Sequence, residues 1–168
     1  MDTPAEIKKA LREALGINPN LAITATVVFV SGNTCSIKLA SELVLTDVRL
    51  CATISDDADM MVIKPKVGSE VIAMSQTGKL DGLFIVKVDS VDNITFKKED
   101  FEIIIDGATK KVTIKNGTAN LGALMDSLID TIVSAQIITP HGTGTISPAT
   151  QTQLTNIKTM FNALLNNV

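Results

Sequence analysis

The sequence predicts a mainly β fold with helices towards its ends, and three observations lead there. Five short runs of β-branched and apolar residues lie between about Ile23 and Ser90, separated by turn signals and not by crossover helices. A second set of alternating runs extends from Ile94 to Lys115. Beyond Asn116 the apolar spacing changes from two to three and four, the period of a helix. The composition allows a core: 168 residues, 45% of them apolar, with a formal net charge of −3. That apolar content excludes general disorder, and the acidic balance removes the basic footprint of a duplex-DNA binder. Five Phe, with no Tyr and no Trp, leave few rings on which bases or sugars would stack.

The first element is a helix. Thr3-Pro4-Ala5-Glu6 reads as an N-cap, a proline at the first helical position and a glutamate closing a capping box. Ile7, Ala10, Leu11, Ala14 and Leu15 share one face, and Gly16 is the stop. A helix of about a dozen residues is marginal alone, so this stripe docks either on its own chain or on a neighbouring subunit. Two cysteines make no disulfide framework, and Met1-Asp2-Thr3-Pro4 lacks the basic start and apolar run of a signal peptide. A reducing cytoplasm is the compartment these features imply. Residues 14–37 and 131–157 carry no charge, but Pro19, Gly32-Asn33 and the Thr-, Gly- and Pro-rich character of the second stretch keep both from spanning a bilayer.

The β pattern opens with Ile23 to Val30, turns at Ser31-Gly32-Asn33 and returns through Thr34 to Leu39. A third run spans Val44 to Ile54 and ends in Asp56-Asp57-Ala58-Asp59. Pro65 to Val71 turns into a fourth strand at Ile72-Ala73-Met74, and Leu83 to Val88 makes a fifth. Five short strands without crossover helices suit a closed Greek-key barrel of the OB type over residues 22–92. The following segment, 93–116, alternates so that Phe101, Ile103 and Ile105 share a face, with Val112 and Ile114 opposite them. A lone ribbon of this kind is marginal in water and needs either the barrel or copies of itself.

Residues 117–168 form a helical region in which Asp126, Asp130 and Lys158 are the only charged side chains. Leu121, Leu124, Met125, Leu128, Ile129, Ile132 and Val133 make a broad helical stripe. A Thr-, Gly- and Pro-rich linker, 136–148, ends at Ser147-Pro148, an N-cap and first-turn pair. Leu154, Ile157, Phe161, Leu164 and Val168 then follow coiled-coil spacing. Large apolar side chains contribute about 1.5–3 kcal/mol each when fully buried and need a larger hydrophobic surface than two helices supply, which favours self-association over packing on the barrel within one chain.

The combination resembles the central spike and baseplate-hub proteins of contractile phage tails and phage-derived injection systems. Ala25 to Ile37 is similar to that family's opening hairpin, Asp47-Val48-Arg49-Leu50 to its next strand, and Pro65-Lys66-Val67-Gly68-Ser69-Glu70-Val71 to the turn into its fourth barrel strand. The resemblance implies an OB barrel followed by a short intertwined β segment of the trimeric β-helix or prism type. It implies a homotrimer about the tail axis and other baseplate proteins as partners. It also implies a structural and not a catalytic role, in a chain held in the bacterial cytoplasm until it enters the virion tail, with no nucleic acid bound and no stable membrane insertion. The expected trimer seams are Phe101, Ile103, Ile105, Val112 and Ile114, then Leu121, Met125, Leu128 and Ile132, then Leu154, Ile157, Phe161 and Leu164. The β segment is short, so a needle built from it would be stubby.

Chemistry is sparse. His141 is an exposed loop residue on its own, whereas three copies about a three-fold axis would supply three imidazoles to an axial metal ion. Asp56, Asp57 and Asp59 lack the rest of a calcium loop. Cys35 and Cys51 read as small buried residues. One histidine assembles no Ser-His-Asp set, and no active site is expected. Lys97, Lys98, Lys110, Lys111 and Lys115 form a basic cluster that would keep strand edges from pairing, or meet phosphate or an acidic partner. The alternative function is an OB module that binds single-stranded nucleic acid or another macromolecule, with Phe29 and Phe84 as the barrel's candidate rings.

Overall fold

A computed structural model describes residues 3–4, 6–7, 9–10, 22–52, 59–76 and 78–167. The fold is mainly β with helices in its C-terminal part, and it forms two compact units, Met1–Ile54 with Ile63–Val91 and Ser55–Val62 with Asp92–Val168. No helix among the described residues is long and apolar enough to cross a membrane.

The first unit is a closed five-stranded barrel. Its strands are β1 (Ala22–Ser31), β2 (Thr34–Leu39), β3 (Val44–Arg49), β5 (Glu70–Ser75) and β6 (Leu83–Val88), in the order β1-β2-β3-β6-β5. Four neighbouring pairs are antiparallel, and β3 and β6 close the barrel in parallel through Arg49 and Phe84. This is an OB-like order. The long β1 serves two neighbours, giving Ala22–Thr26 to β5 and Ala25–Ser31 to β2, and a bulge at Val28 bends it between them. Gly32 takes φ +55° in the two-residue turn between β1 and β2, where a side chain would be strained. Ala25, Val27, Cys35, Ile37, Val48, Val71, Ala73 and Leu83 fill the interior. So narrow a barrel accommodates Ala, Cys, Val and Ile, which is why a chain without Trp or Tyr can close it. The third strand ends at Arg49; Ile54, where the sequence placed its end, lies outside the described residues.

The second unit holds a four-stranded sheet in the order β4-β7-β8-β9, which adds β4 (Met60–Pro65) to β7 (Val91–Lys98), β8 (Phe101–Asp106) and β9 (Lys111–Lys115). The sequence reading had no strand at Met60–Pro65. This strand straddles the division between the units, with Met60–Val62 in the second and Ile63–Pro65 in the first. Asp106 caps the β8–β9 turn by accepting the Ala108 and Thr109 amides at 2.8 and 3.2 Å.

Helix α1 (Leu121–Val133) starts at Asn120, whose side chain accepts the Ala123 amide, and α2 (Pro148–Leu164) starts at Ser147, which accepts the Thr150 amide ahead of Pro148. The two helices pack on each other and on β9 within one chain. Between them, where a linker was expected, lies a hairpin of β10 (Gln136–Thr139) and β11 (Gly142–Thr145). At the N-terminus Pro4, Glu6, Ile7, Lys9 and Ala10 are helical, and the Glu6 carboxylate accepts the Thr3 amide at 2.7 Å, as a capping box requires. Leu11, Ala14, Leu15 and Gly16 lie outside the described residues.

Candidate interaction surfaces of the second unit

The register of the β7-β8-β9 sheet sorts its side chains into two unlike faces. Ile94 lies beside Ile105 and Val112, Phe96 beside Ile103 and Ile114, and Lys98 beside Phe101. Paired residues point the same way, so one face is apolar except at its Lys98 corner. Phe96 and Phe101 meet edge to face, with centroids 6.5 Å apart. Both rings are exposed, and Ile105 is 47% exposed, while Ile103, Val112 and Ile114 are half-buried.

The opposite face is ionic around a sheltered middle. Lys97, Glu102 and Lys115 form one row, Asn93, Asp106 and Lys111 another, and between them Thr95 and Ile104 lie beside the buried Thr113. Lys115 pairs with Glu102 at 3.5 Å, and Lys98 pairs with Asp59 at 3.4 Å. The basic cluster is therefore interleaved with acids, Glu102, Asp106 and Asp59. Asp59 also accepts the Glu99 amide at 2.9 Å, which together with Lys98 holds its carboxyl below the usual range. Asp56 and Asp57, the other carboxylates of that turn, lie outside the described residues.

The three charges of the C-terminal region converge. Lys158 on α2 reaches both Asp130 oxygens on α1, at 2.8 and 2.7 Å, and stands 4.0 Å from Asp126. The Asp130 carboxylate raises the Lys158 pKa. Asp126 Oδ2 accepts the Asn167 side-chain amide at 2.5 Å, whereas Oδ1 has no hydrogen bond and lies 4.0 Å from the Lys158 ammonium. This cluster registers α1 against α2 within the chain. The chain end then crosses the first turn of α1, where Gly122 is buried: a Cβ there would run into the Asn166 carbonyl and the Asn167 side chain. Leu165 bridges to Val112, and the Asn166 amide donates to the Val112 carbonyl at 3.0 Å, closing part of the β9 edge from within the same chain.

Packing inside the chain divides the expected seam residues. Leu121 and Met125 on α1, and Leu154 and Phe161 on α2, are half-buried. Leu128 (52%), Ile132, Ile157 and Leu164 are exposed. With Leu124 they leave an open row, Leu124-Leu128-Ile132, on α1; with Met160 (72%) they leave another, Ile157-Met160-Leu164, on α2. Leu124, Met160, Phe96 and the hairpin's Ile137 and Ile138 were absent from the sequence-derived seam. The signal for Leu124 was its place in the helical stripe from Leu121 to Val133, and for Ile137 and Ile138 their adjacency in a stretch without Asp, Glu, Lys or Arg.

His141 stands exposed at the hairpin turn, its amide donating to Thr139 Oγ1 at 3.3 Å. Among the described residues no three His, Cys, Asp or Glu side chains gather as a metal site within the chain. On the barrel, Phe29 is 60% exposed and Phe84 half-buried. An open groove of about 430 Å³ there is lined by Thr24, Ile72 and Val88 with Glu70, Lys87 and Asp89. Its charges are mixed, two acids to one base. Against known proteins, no family model, no curated protein and no solved structure matches the chain.

Proposed function

We propose that this chain is a structural component of a phage or prophage-derived tail baseplate or spike, assembling as a homotrimer about the tail axis. The observation that carries the reading is the amount of large apolar surface the second unit leaves open on three elements: the Phe96-Phe101-Ile105 sheet face and the rows on α1 and α2. Contiguous apolar surface of more than a few hundred Å² marks an interaction site in a soluble chain. Each such side chain contributes about 1.5–3 kcal/mol when fully buried, and burial of several against a copy is what would offset the entropy lost on association. The OB-like barrel followed by a thin β segment supports the baseplate reading, because that order is what the resembled family implies. In this role the molecule works mechanically, with three sheets and three helix pairs stiffening one axis.

Light scattering across a dilution series tests the assembly. The expected mass is three times 17.8 kDa at every concentration; a monomer would remove the reason for the open faces. Ile103→Asp and Leu128→Asp are expected to dissociate the trimer on size exclusion while the barrel stays folded. Intact trimers from both variants would sink the seam assignment.

A further inference from the structure

We infer that Asn116-Gly117, in the turn between β9 and α1, is a gated self-modification site: the Asn116 side-chain amide converts to a carboxyl through a cyclic imide, and the folded turn holds that reaction back until it opens. This is the one Asn-Gly pair in the sequence. Both residues are exposed to the water that the reaction consumes. Glycine has no Cβ to shield its own amide nitrogen, so Gly117 is the least hindered neighbour an asparagine can have.

The chemistry needs only the chain and water. Gly117 N attacks Asn116 Cγ and closes the imide ring, the Cγ–Nδ2 bond breaks, and the proton lost from Gly117 N leaves on the amide nitrogen as ammonia. Water then opens the ring at either carbonyl. One opening leaves an aspartate. The other leaves an isoaspartate, in which the main chain runs through the former side chain and is longer by a methylene.

In the folded turn both reacting groups are engaged elsewhere. Asn116 Oδ1 accepts the Ala119 amide at 2.8 Å, the Thr118 amide at 3.0 Å and the Thr118 hydroxyl at 3.1 Å. These bonds pin the side chain to the residues ahead of it. Gly117 N donates to Asp100 Oδ2 at 3.2 Å, which ties the attacking nitrogen to the β7–β8 turn. The main chain is closed as well, since the Asn116 amide donates to the Ala119 carbonyl at 2.9 Å and Lys115 bridges to Asn120. Attack requires the nitrogen to face Cγ in a near-attack geometry, so these bonds must break first. A Cβ on Gly117 would stand 3.1 Å from Asp100 Oδ2. The glycine that admits the restraining carboxylate is therefore also the one that makes the site reactive. Asn120 is the N-cap of α1, so an added methylene at 116 disrupts the link between β9 and the start of that helix, and does so irreversibly.

Peptide mapping that separates the Asn, Asp and isoAsp forms at 116 tests the gate. The full chain, Asp100→Ala and Thr118→Val are each incubated in mildly alkaline buffer, folded and in urea, with melting followed by circular dichroism. If the open turn is a minor state, the parent should react about 10- to 1,000-fold more slowly folded than in urea. Asp100→Ala should speed the folded-state reaction several-fold and leave the rate in urea unchanged, and Thr118→Val should do the same to a lesser degree. Should Asp100→Ala fail to fold, Thr118→Val carries the comparison. Equal rates for the folded and unfolded parent overturn the gate, and no conversion at 116 in urea overturns the site. A slower folded-state reaction in Asp100→Ala would make the carboxylate a promoting base and overturn its restraining role. A rise shared with Asn33 and Asn93 would be global unfolding and overturns it too.

Discussion

Single side chains in this molecule are placed by what surrounds them more than by their own chemistry. Cys35 is buried in the barrel, and desolvation pushes its thiol pKa up to about 11. At pH 8 roughly one thiol in a thousand is then thiolate, so iodoacetamide should spare Cys35 in the native protein and label it on unfolding, as peptide mapping would read. Native labelling of Cys35 would mean the barrel opens. Gly122 is a sharper test. In an ordinary helix interior Gly→Ala gains about 1 kcal/mol, but here the added carbon meets the chain end crossing α1. Gly122→Ala is expected to lower the melting temperature, by a loss of about 1–3 kcal/mol, and a rise would show that the chain end does not lie there. Asp59 sets a pH dependence. Its pKa is depressed by the Glu99 amide and Lys98, so its contribution is present above the ordinary carboxylate range and is lost as pH falls through the depressed value. Asp59→Ala should therefore narrow the stability gap to the parent in acid urea titrations, relative to neutral pH. A gap independent of pH would remove Asp59 from that role.

Elements were legible where a local pattern and a local partner coincided. The β1–β2 turn, the Ile103–Ile114 and Ile105–Val112 pairs and the Ser147-Pro148 helix start follow from neighbours in sequence and appear as such. Met60–Pro65 was missed although Met60-Met61-Val62-Ile63 is an apolar run, because Pro65 reads as a boundary and the strand's partner, β7, lies some thirty residues on. The β10–β11 hairpin hid behind Thr, Gly and Pro, residues that mark loops until their pairing is known. The α2 heptad divided for a related reason. Spacing identifies an apolar stripe but not how much of it the same chain covers, and in-chain packing with α1 shelters Leu154 and Phe161 while leaving Ile157 and Leu164 open. The Lys158 cluster predicts a measurable register: Lys158→Met leaves Asp126 and Asp130 without their cation. It should lower the melting temperature of the second unit, and the deficit should shrink above the lysine range, where the parent's own raised Lys158 deprotonates. An unchanged melt would mean that apolar packing alone registers the helices.

At the scale of the whole molecule, association and stability are linked. If the open faces of the second unit bury against copies, its unfolding should move to higher temperature as protein concentration rises, while barrel unfolding, enclosed around its own core, stays fixed. Calorimetry at two concentrations would show this, and equal shifts of both transitions would place the interface on the barrel as well. The route of the chain adds a constraint of another sort. Because β4 straddles the division, the polypeptide passes between the two units three times, and neither unit is a single stretch of sequence. A break after Val91 would carry off most of β7 and leave Met60–Val62 without the strand they extend. Neither unit can be lifted out by one cut or exchanged by one crossover, because each is assembled from two separated stretches of the sequence.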